Sequence, residues 1–184
     1  MIIGVTGTNG AGKGTVVDYL VSKKGFKHYS AREFIVEEVK RRGLPVNRDT
    51  ITYTANDLRA TYGPAYVVEE LIKRTKADGG NVVIESIRTI SEAEVLRKEG
   101  GFIFAVDADP HTRYERAVRR GSETDKVDFE TFIAQEEREL TSNDPNKQNV
   151  LGVVAMADYQ LLNNGTLEEL QYGIANIFAQ KRFD

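Results

Sequence analysis

A glycine-rich stretch near the N-terminus, Gly7-Thr8-Asn9-Gly10-Ala11-Gly12-Lys13-Gly14-Thr15, restricts this chain more than any other part of it. It follows Ile2, Ile3 and Val5, which read as a short buried strand, and it precedes Thr15 to Lys24, which read as a helix ended by Gly25. The spacing is G-x-x-x-x-G-K in a strand-loop-helix setting. Glycines serve there because successive backbone N–H groups must curl around a phosphate without Cβ atoms in the way, and the helix N-terminus that follows adds about half a positive charge. Lys13 adds a mobile full charge for terminal phosphates. A dinucleotide-binding turn of the G-x-G-x-x-G type would bring an acidic residue at the end of the second strand, and Phe26 to Tyr29 ends without one.

The remaining chain alternates strands with helices. Asn81 to Glu85, Phe102 to Asp107 and Asp158 to Asn163 read as further strands. Ser30 with Glu33, Ser91 with Glu94, and Thr166 with Glu169 have the spacing of capping boxes, while Asp109-Pro110 suits a helix start reaching Arg120. Phe129 to Leu140 reads as a helix between two polar loops, Gly121 to Asp128 and Thr141 to Asn149. These signals predict an α/β fold with three layers, α/β/α, around a five-stranded parallel sheet. At 184 residues, one domain burying roughly 70% of its unfolded surface is expected. Three helices fall between two strands over residues 31–78, too much chain for a simple crossover, so a helical insert is expected there.

Composition narrows the partners. With 25 Lys+Arg against 28 Asp+Glu, the net charge of -3 recruits neither nucleic acid nor an anionic membrane, so any bound anion must be held by a local site. The absence of cysteine removes disulfides, thiolate metal sites and thiol nucleophiles, and two histidines make a structural zinc site implausible. The apolar runs are only a few residues long, which leads to the expectation of a soluble cytoplasmic protein.

Charged residues at element ends mark the rest of a candidate site. Glu85 ends the third strand, where a phosphate-loop protein places an acid that orients Mg²⁺ or its water shell. Arg88 follows three residues later, and guanidinium suits phosphate because its planar fork makes two hydrogen bonds and never deprotonates. Arg113, Arg116 and Arg120 share one helix face leading into the Gly121 to Asp128 loop, with Arg119 beside them. Arg48 and Arg59 lie in the insert and are candidates for holding an acceptor. Asn163 and Gly165 follow the last strand, at a place where backbone groups border an adenine or simply turn the chain.

Several of these segments resemble known families. The Gly12-Lys13-Gly14-Thr15 form resembles the adenylate-kinase branch of P-loop proteins, where Gly stands in the usual hydroxyl position. That resemblance implies Mg²⁺ held largely through water, with Thr15 and Glu85 as the metal-side residues. Glu85-Ser86-Ile87-Arg88 resembles the Asp-Gly-x-(x)-Arg segment of adenylate-kinase-like enzymes, which implies that Arg88 binds the acceptor phosphate. The set Ile84 to Arg88, Arg113-x-x-Arg116-x-x-x-Arg120, Glu136 to Leu140 and Ala157 to Leu170 is similar to dephospho-CoA kinases and to archaeal adenylate-kinase-related proteins. The resemblance to the P-loop nucleoside monophosphate kinase superfamily covers nearly the whole chain. It implies ATP and Mg²⁺, with Thr8, Asn9, Gly10, Ala11, Gly12, Lys13, Gly14 and Thr15 around the donor phosphates and Asn163 and Gly165 near the base. It also implies that Arg116 and Arg120 neutralise the transferring group as the Gly121 to Asp128 loop closes like a lid.

The expected activity is transfer of the ATP γ-phosphoryl to a small phosphorylated acceptor, foremost a nucleoside or deoxynucleoside monophosphate. An anionic oxygen acceptor needs no general base, whereas the ribose hydroxyl of dephospho-CoA benefits from a carboxylate. The Asp that dephospho-CoA kinases place after the second strand is missing from Phe26 to Glu33, as is the insert arginine of true adenylate kinases, with Phe34, Ile35 and Val36 in that stretch. Dephospho-CoA kinase and an ATP-binding switch with slow ATPase activity therefore remain alternatives.

Overall fold

The computed structural model describes residues 1–122 and 126–180; residues 123–125, inside the segment read as a lid, and 181–184 lie outside the described residues. The most apolar strands occupy the middle of the sheet. Here β1 (Ile2–Thr6) pairs with β3 (Val82–Glu85) on one side and β4 (Phe102–Asp107) on the other. The more polar β2 (Lys27–Ser30) and β5 (Tyr159–Leu162) form the edges, giving the order β2-β3-β1-β4-β5 with every pairing parallel. Val5 lies opposite both Glu85 and Phe104, so the strands end together and their following loops share one edge of the sheet. The connection after β1 runs toward β2 while that after its neighbour β3 runs the other way to β4, which opens the crevice where α/β sheets bind ligands.

Alternation along each strand feeds two cores. Ile3, Val5, Val83, Phe104 and Val106 face α1 (Lys13–Lys24) and α9 (Leu167–Gln180), which contribute Val16, Leu20, Leu170 and Ile174. Ile84 and Ile103 face the other way, toward α2 (Ala31–Arg41), α3 (Arg48–Tyr62), α4 (Tyr66–Asp78) and α5 (Ile90–Lys98). The expected three-layer α/β/α architecture with a five-stranded parallel sheet is present, and α2 to α4 are the three helices expected between residues 31 and 78. Completing the chain are α6 (Pro110–Arg120), α7 (Phe129–Leu140) and the short α8 (Val150–Ala155).

Most helix starts follow the side-chain logic of the sequence. Ser30 Oγ accepts from the Glu33 N–H at 3.2 Å, Asp109 caps α6 ahead of Pro110, and Thr166 and Glu169 exchange both bonds of a capping box. One start is corrected. The box of α5 is Thr89 with Glu92, not Ser91 with Glu94, because Glu92 points into the interior and meets the N–H groups of Arg88 and Thr89 there. The six residues of α8 were not expected, since Val150-Leu-Gly-Val-Val-Ala155 is too short to show a helical period. Among the described residues, no helix is long and apolar enough to cross a membrane.

Packing above β1 depends on missing side chains. A Cβ on Gly4 would lie 2.6 Å from Leu96 Cδ1, and one on Gly101 would lie 2.4 Å from Leu96 Cδ2, so the fully buried Leu96 fills the space that two glycines leave. Replacing Leu96 by Ala should lower stability by about 3 kcal/mol through the cavity it opens. The expected readout is a lower urea midpoint at unchanged m value.

Candidate active site

The phosphate-loop geometry follows from contacts that only glycine permits. At Gly7, with φ 137°, a Cβ would stand 2.1 Å from Val106 O; at Gly12, with φ 105°, it would stand 2.2 Å from Asn163 Nδ2. Asn163, beyond β5, donates from Nδ2 to Ala11 O at 2.9 Å and so ties the last strand to the first loop. Helix α1 begins at Lys13, two residues before the expected start, which places Lys13 and Gly14 in its first turn. Lys13 folds back so that Nζ donates to Gly7 O at 3.0 Å and Thr8 O at 2.7 Å. Burial first, then the positive charges of Arg88 and Arg120, bring its pKa down to about 7 against the opposing pull of Glu85 and Glu139. A Cβ at Gly14 meets nothing within 4 Å, so space does not impose the glycine that replaces a hydroxyl there.

Glu85 stands beside the loop at the end of β3. Its Oε2 is 3.0 Å from Nε2 of His28 on the neighbouring β2. Burial pushes the Glu85 carboxyl up, but the hydrogen bond with His28 and the charge of Lys13 outweigh it and hold the pKa below the usual range. The same hydrogen bond raises His28 against its own burial. Sequence reasoning passed over His28; its signal is the register in which Ser30 faces Glu85, which puts His28 two residues back on the same face.

Ser86 then adopts φ 73°, in the left-handed region, at the position where the resembling segment has Gly. The turn lets the N–H groups of Ser86 and Ile87 both reach Val5 O, at 2.9 and 3.2 Å. Such a conformation costs a non-glycine residue on the order of 1 kcal/mol and is retained where the surroundings impose it. It delivers Arg88 to the loop, with Nη1 donating to Gly7 O at 3.3 Å.

The arginines picked from sequence divide into two sets. Arg48, Arg59, Arg88 and Arg120 line one cavity of about 270 Å³ together with Lys13 and Glu85. In it Arg120 Nη2 donates to Asn9 Oδ1 at 2.9 Å, and Arg48 bonds to Glu139 of α7. Arg59 is corrected in one respect, because most of its guanidinium is already engaged. Only 1% exposed, it sends Nε and Nη2 to Glu92 Oε1 at 2.9 Å each, leaving Nη1 without a hydrogen-bond partner. Arg113 and Arg116 act elsewhere in the site's frame: Arg113 is buried against Glu136 and Ala108 O, and Arg116 Nη1 donates to Asn163 O at 2.8 Å. Gly165 is held close to Glu169, whose carboxylate would meet a Cβ there. Glu136 and Glu139 fall within the segment Glu136 to Leu140 noted for its resemblance, but nothing local in the sequence tells which arginine they, or Glu92, face.

The chain resembles known proteins in sequence and in fold. Residues 3–143 match the AAA_18 family, described as an AAA domain. A UPF0200 protein of Staphylothermus marinus is 32% identical over 177 residues, covering 96% of this chain and 90% of that protein. One from Thermococcus kodakarensis is 33% identical over 178 residues, covering 93% and 92%. Among solved structures, shikimate kinase from Acinetobacter baumannii in complex with shikimate has a TM-score of 0.61 at 18% identity, covering 100% of this chain and 95% of that one. Shikimate kinase from Aquifex aeolicus has a TM-score of 0.57 at 20% identity, covering 98% and 97%. At these identities the likeness is one of fold, the three-layer P-loop kinase fold. The chain belongs to the UPF0200 family and carries an AAA domain over residues 3–143.

Proposed function

We propose that this protein is an ATP-dependent phosphotransferase of the nucleoside monophosphate kinase class. The observation that carries the reading is the shared cavity: Lys13 and Asn9 of the phosphate loop open onto the same space as Arg48, Arg59 and Arg88. Donor and acceptor phosphates bound at its two ends would meet with no wall between them. In the reaction an oxygen of the acceptor phosphate bonds to the γ-phosphorus, the bond from that phosphorus to the β,γ-bridging oxygen breaks, and ADP leaves. An anionic oxygen needs no deprotonation, so positioning and positive charge suffice.

In this reading the loop amides from Thr8 to Thr15 and Lys13 hold the donor phosphates. Arg88, with Arg48 and Arg59, receives the acceptor, and Arg120 stands beside Asn9 where charge develops on the transferring group. Arg116 holds the backbone of Asn163, which with Gly165 borders the donor base. Among the described residues there is no group of three or more His, Cys, Asp or Glu that would cage a metal ion. The oxygens of Thr15 and Glu85 nevertheless fit Mg²⁺, an ion that keeps several waters and leans on substrate phosphates. Bound there, Mg²⁺ would neutralise charge on the donor phosphates.

A panel of nucleoside and deoxynucleoside monophosphates, assayed for ADP and the phosphorylated product, tests the class; ATP hydrolysis indifferent to every acceptor would exclude it. Lys13→Ala should lower kcat by about a hundredfold to a thousandfold with the fold intact, since it removes a donor aimed at developing charge. Arg88→Ala should raise acceptor KM about tenfold or more while ATP KM changes little, and equal effects on both would remove Arg88 from the acceptor end. Lys13 also gives a pH signature. With its pKa near 7 in the free protein, a bound phosphate must pull its proton back on. ADP binding at about pH 8.5 should therefore take up close to one proton, measured by calorimetry in buffers of different ionisation enthalpy.

A further inference from the structure

Glu139 belongs to α7, yet its carboxylate stands in the wall of a cavity built mainly by other elements. Arg48, the first residue of α3, donates to Glu139 Oε1 from Nε at 2.9 Å and from Nη2 at 2.8 Å. Arg88 Nη1 lies 3.9 Å from Glu139 Oε2, and Lys13 lies within the reach of the same charge. Arg59 lines this cavity as well, and its Nη1 has no hydrogen-bond partner. A carboxylate therefore stands where the fields of several cations converge.

A salt bridge that merely fastened α3 to α7 would need only Arg48, which already has a second tie to Gln135 Oε1 at 3.1 Å. Its position next to Arg88 has a different consequence. An oxyanion entering the cavity would draw on the same guanidinium groups of Arg48 and Arg88 that Glu139 faces. Two anions on one set of arginines repel each other, so one must leave.

We propose that Glu139 is an internal stand-in for the anionic group of the acceptor. Without acceptor it neutralises Arg48 and Arg88; the acceptor's phosphate monoester takes its place on them, and the carboxylate moves aside. This rests on the reading of the cavity as the acceptor site, and it specifies the acceptor further. A neutral hydroxyl compound has no charge with which to displace the carboxylate, whereas a phosphate dianion offers three oxygens to three guanidinium groups. The site thereby selects phosphate monoesters by making every ligand compete with a group the protein itself supplies, a competition that a dianion wins more readily than a neutral compound.

The test uses inorganic phosphate as the probe, titrated calorimetrically into protein whose loop is saturated with β,γ-imido-ATP and Mg²⁺. Glu139→Gln keeps the shape and removes the charge, so its phosphate Kd should fall about tenfold while the Kd for imido-ATP shifts less than about threefold. Arg48→Met should raise the phosphate Kd, and should do so in the Glu139→Gln background too. A structural fastening predicts the opposite: Glu139→Gln would loosen Arg48 and leave phosphate binding unchanged or weaker, and that result overturns the proposal. If Glu139→Gln loses cooperative unfolding, Glu139→Asp withdraws the carboxylate by one methylene and should also tighten phosphate; unchanged or weaker binding there overturns it equally. Failure of the wild-type protein to bind imido-ATP would instead sink the phosphotransferase reading, which keeps the two outcomes distinct.

Discussion

The candidate site depends on one carboxylate that never meets water. Glu92 is 0% exposed, and its two oxygens do different work. Oε1 accepts from Nε and Nη2 of Arg59 on α3, while Oε2 accepts from the N–H groups of Arg88 and Thr89 at the start of α5. The insert is thereby joined to the turn that carries Arg88. Burying two charges costs several kcal/mol per ion, and mutual attraction with well-placed hydrogen bonds offsets that cost only when all partners are present. Removing either member would leave an uncompensated interior charge, so the pair fixes where the insert stands relative to the sheet.

Pairing of a basic side chain with an acid from another element recurs in and beside the cavity. Arg48 has Glu139, Arg113 has Glu136, and His28 has Glu85. The composition showed only that basic and acidic residues nearly balance. The structure shows that the balance is local: several cations near the carboxyl ends of the strands are met by a carboxylate from another element, while Lys13, Arg116 and Arg120 bond to neutral oxygens. Several cations can then share one cavity in the folded protein with no ligand between them.

What could be read from the sequence was what depends on local spacing. The glycine loop, the strand-helix alternation and the caps at Ser30, Asp109 and Thr166 each arise from residues a few positions apart. The α5 start was misread because Thr89-Ile-Ser-Glu92 and Ser91-Glu-Ala-Glu94 satisfy the same cap rule in overlapping registers, and burial of Glu92 against Arg59 decides between them. His28 beside Glu85 required the strand order, in which β2 neighbours β3 and not β1. The engagement of Arg59 required knowing that α3 crosses the start of α5. Local rules marked the arginines; only the tertiary fold distributes their counter-ions.

The bond from Asn163 to Ala11 joins residues 152 positions apart, and β1 lies between strands that come some 80 and 100 positions after it. This has a consequence for how the protein is made. The glycine loop is synthesised 152 residues ahead of the side chain that closes it. A ligand of the loop therefore cannot template its early folding. The apolar strand Ile2–Thr6 must wait unpaired during synthesis, the circumstance in which slow, non-local parallel sheets are most open to aggregation.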